Sequence, residues 1–277
     1  MAKRILIQTT IPKVEDDWHV GRFSILTSRL RGLGHEVVGR NRDVGADPVL
    51  TTLDQGGFDQ LWLFAVDVGD GLNSDECAAI GRFRERGGGL LVTRDHQDLG
   101  CSVCTLGGVG KAHHFHTTNP EPDEGRRHRD DQETRDIDWP NYHSGSNGDF
   151  QSIRVTAPSH PLLADGEGGL LTFLPSHPHE GAVSAPADEP DAHVIATGVS
   201  QVSGAPFNLI VAFEGRNGGG RAVAQSTFHH FCDYNLDPRS GCPSFVSEPP
   251  SDRILSDPRG RQAVDRYFRN LAEWLSP

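Results

Sequence analysis

The feature that most constrains this chain is the alternation, up to Arg94, of short apolar runs with amphipathic segments that close on glycine. Ile5 to Thr9 is a short apolar run of the kind a buried strand shows. Residues 16–33 follow, with Val20, Phe23, Leu26, Leu30 and Leu33 recurring at steps of three or four, which predicts a helix with one apolar face. Gly32 and Gly34 supply its stop, and His35 to Val38 begins a second strand. Phe58 to Val66 reads as a third strand. Ser74 is the expected N-cap of the next helix, with Asp75 and Glu76 favourable in its first turn, and that helix ends at Gly87 to Gly89. Leu90 to Thr93 is the fourth strand. Strands alternating with helices over short connections predict an α/β, flavodoxin-like three-layer sandwich, its sheet mainly parallel and covered on both faces.

Beyond Arg94 the pattern changes. Residues 97–150 carry almost no apolar periodicity and are dense in Gly, His, Asp and Arg, as expected of a lid, a binding loop or a disordered insertion. The mixed-sign stretch Glu121 to Asp138 is expected to be solvated loop surface. Strand signals return at 152–156, 170–173, 192–196, 209–213 and 222–226. The segments 207–214 and 220–227 form a hairpin pattern across Gly215 to Gly219. A last helix is expected over 259–275, with Val264, Tyr267, Phe268, Leu271, Trp274 and Leu275 on one face. No repeat or linker divides the 277 residues, so one domain spanning 1–277 with an insertion at about 97–150 is expected.

Composition narrows the function. Hydrophobic residues make up 35%, with 32 Gly and 18 Pro, which implies a core carrying long irregular loops. The net charge of −12 disfavours phosphate backbones, so nucleic acid is not expected as a partner. No apolar run reaches the roughly 20 residues of a membrane helix, and the amino terminus does not read as a signal peptide. A cytoplasmic location with no membrane partner is expected. Five cysteines fit reduced thiols, and the CxxC of Cys101 and Cys104, with no second pair, reads as structural or incidental. A small-molecule ligand is the expected partner, and a homo-oligomer is left open.

In a parallel open sheet, ligands gather beyond the carboxyl ends of the strands. That rule singles out Asp16 to His19 after the first strand, Asp67 after the third, Arg94-Asp95-His96 after the fourth, Phe228 to Asp233 after the late strand, and Ser176 to Gly181. The chain has 14 histidines, and imidazole suits both proton transfer near neutral pH and metal ligation. Asp95, His96, His19 and His230 are the candidate catalytic residues. Asp67, Arg94, His177, Glu180 and His229 are the candidate substrate-binding residues. A zinc-like divalent metal is the candidate cofactor, with His96, His113, His114, His116 and His143 as candidate ligands, although neither HExxH nor a structural zinc spacing is present.

The opening strand, the segment Leu33-Gly34-His35-Glu36-Val37 and the stretch Phe83 to Thr93 ending in GGGLLVT resemble the class I glutamine-amidotransferase-like superfamily. Ser159-His160-Pro161-Leu162, Gly220 to Val223 leading into Phe228-His229-His230, and the aromatic-rich last helix are similar to its trehalose-utilisation (ThuA-like) branch. Glutaminase members carry a nucleophilic cysteine on the turn after the fourth strand, and here that turn is Thr93-Arg94-Asp95-His96. The resemblance therefore implies a ThuA-like protein linked to sugar metabolism and not a glutaminase. It also implies histidines after the first strand, matching His19, and at the end of the late strand, matching His229 or His230. Three functions follow as expectations. The first is an enzyme acting on a sugar or other polyhydroxylated compound by His/Asp acid–base chemistry. The others are a non-catalytic ligand-binding or interaction domain and a metal-dependent hydrolase.

Overall fold

The computed structural model describes residues 1–130, 134, 136–216 and 218–276. Parts of the mixed-sign stretch 121–138 and Asn217 of the hairpin connection lie outside the described residues. Eight strands form the central sheet: β1 (Arg4–Thr9), β2 (Glu36–Arg40), β3 (Gln60–Phe64), β4 (Gly89–Thr93), β5 (Arg154–Val155), β6 (Ala192–Val199), β7 (Pro206–Phe213) and β8 (Ala222–Gln225). Their spatial order is β2-β1-β3-β4-β8-β7-β6-β5. The first five in that order pair in parallel, and β7, β6 and β5 add antiparallel strands beyond β8. The fold class is thus the expected three-layer α/β sandwich.

The register explains where a site can form. Thr9 pairs with Phe64, Phe64 with Thr93, and Thr93 with Gln225, so four strand ends lie on one line across the sheet. The loops that follow them, starting at Thr10, Ala65, Arg94 and Ser226, leave from one rim.

Local chemistry sets the flanking helices. Helix α1 (Ser24–Gly32) is shorter than expected, because Val20–Phe23 winds as a 3₁₀ turn before it. The His19 ring nitrogen caps that turn by accepting from Gly21 N. Helix α2 (Ser74–Glu85) is capped by Asn73 rather than by Ser74. Asn73 Oδ1 accepts from the Asp75 and Glu76 amides at 3.0 Å, and the Glu76 carboxylate returns to Asn73 N at 2.9 Å. This reciprocal box moves the start of the helix one residue back. Helix α3 (Pro258–Trp274) buries Val264, Tyr267, Phe268, Leu271 and Trp274, its expected apolar face. Each large side chain buried there contributes roughly 1.5–3 kcal/mol.

The segment 97–150 differs from a loose insertion. It buries Val103, Phe115, Trp139 and Tyr142. His113–His114 pairs with Ala182–Val183, and Phe150–Ser152 pairs with Phe173–Pro175. Isolated large side chains, without helical or strand period, attach it to the body. The same pairing takes up part of the expected strand at 152–156, and places the one expected at 170–173 at Phe173–Pro175. No helix is long and apolar enough to cross a membrane among the described residues.

Candidate active site

Asp95 lies just beyond the end of β4 and is buried, and four side chains converge on its carboxylate. Thr227 Oγ1 donates to Oδ1 at 2.9 Å, and His96 Nδ1 stands 3.0 Å from Oδ2. His177 Nε2 lies 3.2 Å from Oδ1, and His229 Nε2 lies 3.6 Å from Oδ2. The His177 and His229 rings stack with centroids 3.6 Å apart and planes 10° from parallel. The burial of so many polar groups at one point demands internal partners.

Those partners fix the tautomers. Asn235 Nδ2 donates to the Ser176 carbonyl at 2.9 Å, which orients its amide. Its Oδ1 then faces His229 Nδ1 at 2.8 Å, so that nitrogen carries a proton. Asn235 Nδ2 also donates to Asn147 Oδ1 at 2.8 Å, and this oxygen accepts from His177 Nδ1 at 2.9 Å. Both imidazoles are therefore protonated at Nδ1, and both turn Nε2 towards Asp95. His177 Nε2 is buried and faces Asp95 Oδ1 at 3.2 Å without a well-aligned hydrogen bond.

The charges separate accordingly. Burial opposes ionisation of Asp95, but His177, His229 and His96 outweigh it and hold the carboxyl well below the usual range. Burial likewise opposes a charge on His229, yet the Asp95 carboxylate prevails and lifts it to about 10. Burial, reinforced by the neighbouring His229, pushes His177 well below the ordinary histidine value. The cluster thus sets a carboxylate against the His229 imidazolium, while His177 is drawn two ways, burial and His229 opposing its charge and the Asp95 carboxylate 3.2 Å away favouring it.

Asp95, His96, His177, His179 and His229 reach a cavity of about 580 Å³. Its size is that of a small-molecule site. His179 Nε2 meets Glu248 Oε1 at 2.7 Å, and this contact holds the Glu248 carboxyl far below its usual range. Asp67 also lines the cavity, but its oxygens accept from Thr10 Oγ1 at 2.6 Å, Ser102 Oγ at 2.8 Å and the Gly69 amide at 3.0 Å. It braces the loop after β3.

The remaining sequence candidates sit elsewhere. His230 and Glu180 are sealed beneath the site, 3.2 Å apart. His230 Nδ1 meets Gln225 Nε2 at 2.6 Å, and Ser226 Oγ donates to Glu180 Oε2 at 2.6 Å. His19 is occupied in its capping role and does not line the cavity. Arg94 is fully buried against the Phe115 ring, 4.0 Å from its centroid, and burial pushes its guanidinium down to about 9. Of the five candidate metal ligands only His96 comes to Asp95. His113 is buried near Phe115, His114 bonds Ser184 Oγ at 2.6 Å, His116 is exposed, and His143 is half-buried away from the cavity. Among the described residues, Asp95, His96 and His177 form a group able to hold a metal ion, with one ligand atom each and all within 4.8 Å of one another.

Asn147, Asn235, Thr227 and Glu248 are not among the sequence candidates, and His179 lies in the singled-out segment Ser176 to Gly181 without an assigned role. His179 had a legible signal, since His177 and His179 flank a proline in one extended segment. Glu248 and the two asparagines come from stretches without period and had none.

No protein-family model matches the chain, and no curated protein does. Solved structures do. A protein of Parabacteroides merdae described as ThuA-like superimposes with a TM-score of 0.54 at 14% identity, over 99% of this chain and 90% of that one. The glutaminase domain of Trypanosoma brucei CTPS with bound acivicin gives 0.50 at 15% identity, over 98% of this chain and 94% of that one. The fold is class I glutamine-amidotransferase-like. On this amidotransferase-like frame the turn after β4 presents Asp95 and His96, and no cysteine lines the cavity among the described residues. Burial raises the thiols of Cys101 and Cys104, the latter to about 12. Cys232 lies on the far side of His229, its Sγ 3.0 Å from Asn235 Oδ1.

Proposed function

We propose that the chain is a small-molecule enzyme, not a glutaminase, acting on a sugar or other polyhydroxylated compound by acid–base chemistry centred on Asp95. The observation that carries this reading is the convergence of His96, His177 and His229 on the buried Asp95 carboxylate at the floor of a cavity, with the His177 ring stacked on an imidazolium. A neutral imidazole with a free lone pair is the form a general base needs. His177 takes a proton from a substrate hydroxyl or from water. His229, charged and held by Asp95, stabilises negative charge that develops beside it or returns a proton. His96, partly open to solvent and tied to Asp95, exchanges protons with bulk water. Carboxylate and imidazole groups at such a floor suit hydrogen bonding to hydroxyls. Purified protein offered a panel of glycosides and polyols should turn one over. Asp95→Asn and His177→Ala should each lower kcat/KM by about a thousandfold while thermal unfolding stays cooperative. Full activity in both variants removes the reading.

A second reading rests on the metal-capable group. Asp95, His96 and His177 supply three N and O donors, the kind of set that holds a catalytic zinc-like ion, and Asn147 behind His177 gives a ligand its usual support. The residues fit such an ion, which would supply a polarised water. Elemental analysis of untagged protein decides between the two: a stoichiometric metal lost in His177→Ala favours the second, and none favours the first.

A further inference from the structure

The cavity has two chemically distinct ends. Its floor is the Asp95 cluster. Its wall is Ile11, Trp18, Val66, Leu99, Ile137 and Val246, and its mouth carries Val14, Val68 and Phe245. Those last three are 50%, 75% and 59% exposed, and they account for three of the seven large hydrophobic side chains left exposed among the described residues. They come from three separate loops, so a single mobile segment does not explain their meeting. Apolar side chains gathered at a cavity mouth mark a surface that something apolar covers.

The mouth is also held in place. The Ser244 amide donates to Asp16 Oδ1 at 2.8 Å, which ties the loop of Phe245 to the loop of Val14. Glu248 anchors the same loop to His179. Gly69, at φ +106, donates to Asp67 Oδ2 and holds the turn that presents Val68. The lining is net negative, because Asp17, Asp67, Asp70, Glu248 and Asp95 outnumber the His229 imidazolium, and no Lys or Arg is among the described lining residues.

We propose that the cavity takes an uncharged or cationic amphiphile, with its hydroxyl-bearing end on the Asp95–His177 floor and an aryl or alkyl group against Val14, Val68 and Phe245. Placing the hydroxyl end rests on the acid–base reading above. The apolar end does not. An aryl group at the mouth is desolvated on two sides, by Phe245 and by Val68, whereas an anionic group would meet carboxylates.

Binding of phenyl β-D-glucoside and methyl β-D-glucoside to the full chain, followed by calorimetry, tests the apolar end. The phenyl compound should bind at least about tenfold more tightly, and the Val68→Ser/Phe245→Ser double variant should reduce that preference to within about twofold. Both side chains are exposed, so the variant keeps the fold. Benzyltrimethylammonium should likewise bind at least about tenfold more tightly than benzoate. Equal or undetectable binding of the two glucosides, a phenyl preference that survives in the double variant, or a preference for benzoate overturns the proposal. The same titrations in Asp95→Asn keep the two readings apart. Aryl preference without turnover in any protein sinks the acid–base reading alone. Asp95-dependent turnover without aryl preference sinks this one alone.

Discussion

Two carboxylate–imidazole clusters lie back to back in this molecule, and residues adjacent in sequence divide between them. His229 joins Asp95 at the cavity floor, while His230 turns inward to Glu180. Along the other segment His177 and His179 face the cavity, while Glu180 faces the interior. The inner cluster is closed: Ser144, Gln151 and Ser226 all donate to Glu180, and Tyr267 donates to Gln225, which meets His230. Among the described residues the outer cluster leaves two nitrogens, His177 Nε2 and Asn147 Nδ2, without a hydrogen bond. A carboxylate bonded at both oxygens and sealed from the cavity holds the fold, although Gln151 Oε1 beside it has no partner, and an unbonded nitrogen in a cluster at a cavity floor marks a group poised for chemistry.

The contrast can be broken at several points. Asp95→Asn should have the largest effect, because it removes the charge on which His229 depends. The His229 imidazole, followed by NMR titration, should fall from about 10, since burial then has only Cys232 left to oppose it. An unchanged titration would remove Asp95 as the source of its charge. Glu180→Ala or His230→Ala should instead act on stability, because each leaves a buried partner uncompensated. A loss of about 3–5 kcal/mol in urea unfolding is expected, and a loss near zero would reopen a functional role for the inner pair.

A smaller effect separates the two histidines of the outer cluster by pH. His229, raised when folded, contributes stability that is complete below about 6.5 and is withdrawn as pH climbs towards about 10. His177, lowered when folded, works in the opposite sense. Its unfolded form gains a proton below about 6.5 that the folded form refuses, so stability declines on the acid side. Urea unfolding across pH 5 to 10 should show both limbs in the wild type, with the alkaline limb absent in His229→Gln. The smallest expected effect is that of Asn235→Asp. Without an amide to orient on Ser176, His177 loses its fixed tautomer, and activity should fall by about 10- to 100-fold, the usual cost of removing an orienting partner. Nitrogen-15 shifts of His177 check the cause.

The sheet and its helices were legible because their signals are periodic: the face from Val264 to Trp274, the run in β3 and the glycines after α2 all repeat or punctuate. The rim loops are legible through strand-end position, which selects Asp95 and His96 as catalytic candidates and His177 and His229 as substrate-binding ones, together with His19 and His230, which lie elsewhere. That logic stops at direction. His229 and His230 carry the same chemistry one residue apart, and only the 3₁₀ turn at Phe228–His230 sends one to the cavity and the other inward. Ser74 is a cap-forming residue type by itself, and what makes Asn73 the cap is Glu76 closing the box. Glu248 reaches His179 from 69 positions away in a segment without pattern.

The carbonyl of Ser176 has a reach out of proportion to its place in the chain. By turning one amide it decides, through Asn235 and Asn147, where a hydrogen sits on two separate rings. The basicity of His177 and the acidity of His229 therefore share one mechanical reference. A shift of that peptide would retune both together, and neither ring can be adjusted by itself without cutting the amide chain between them.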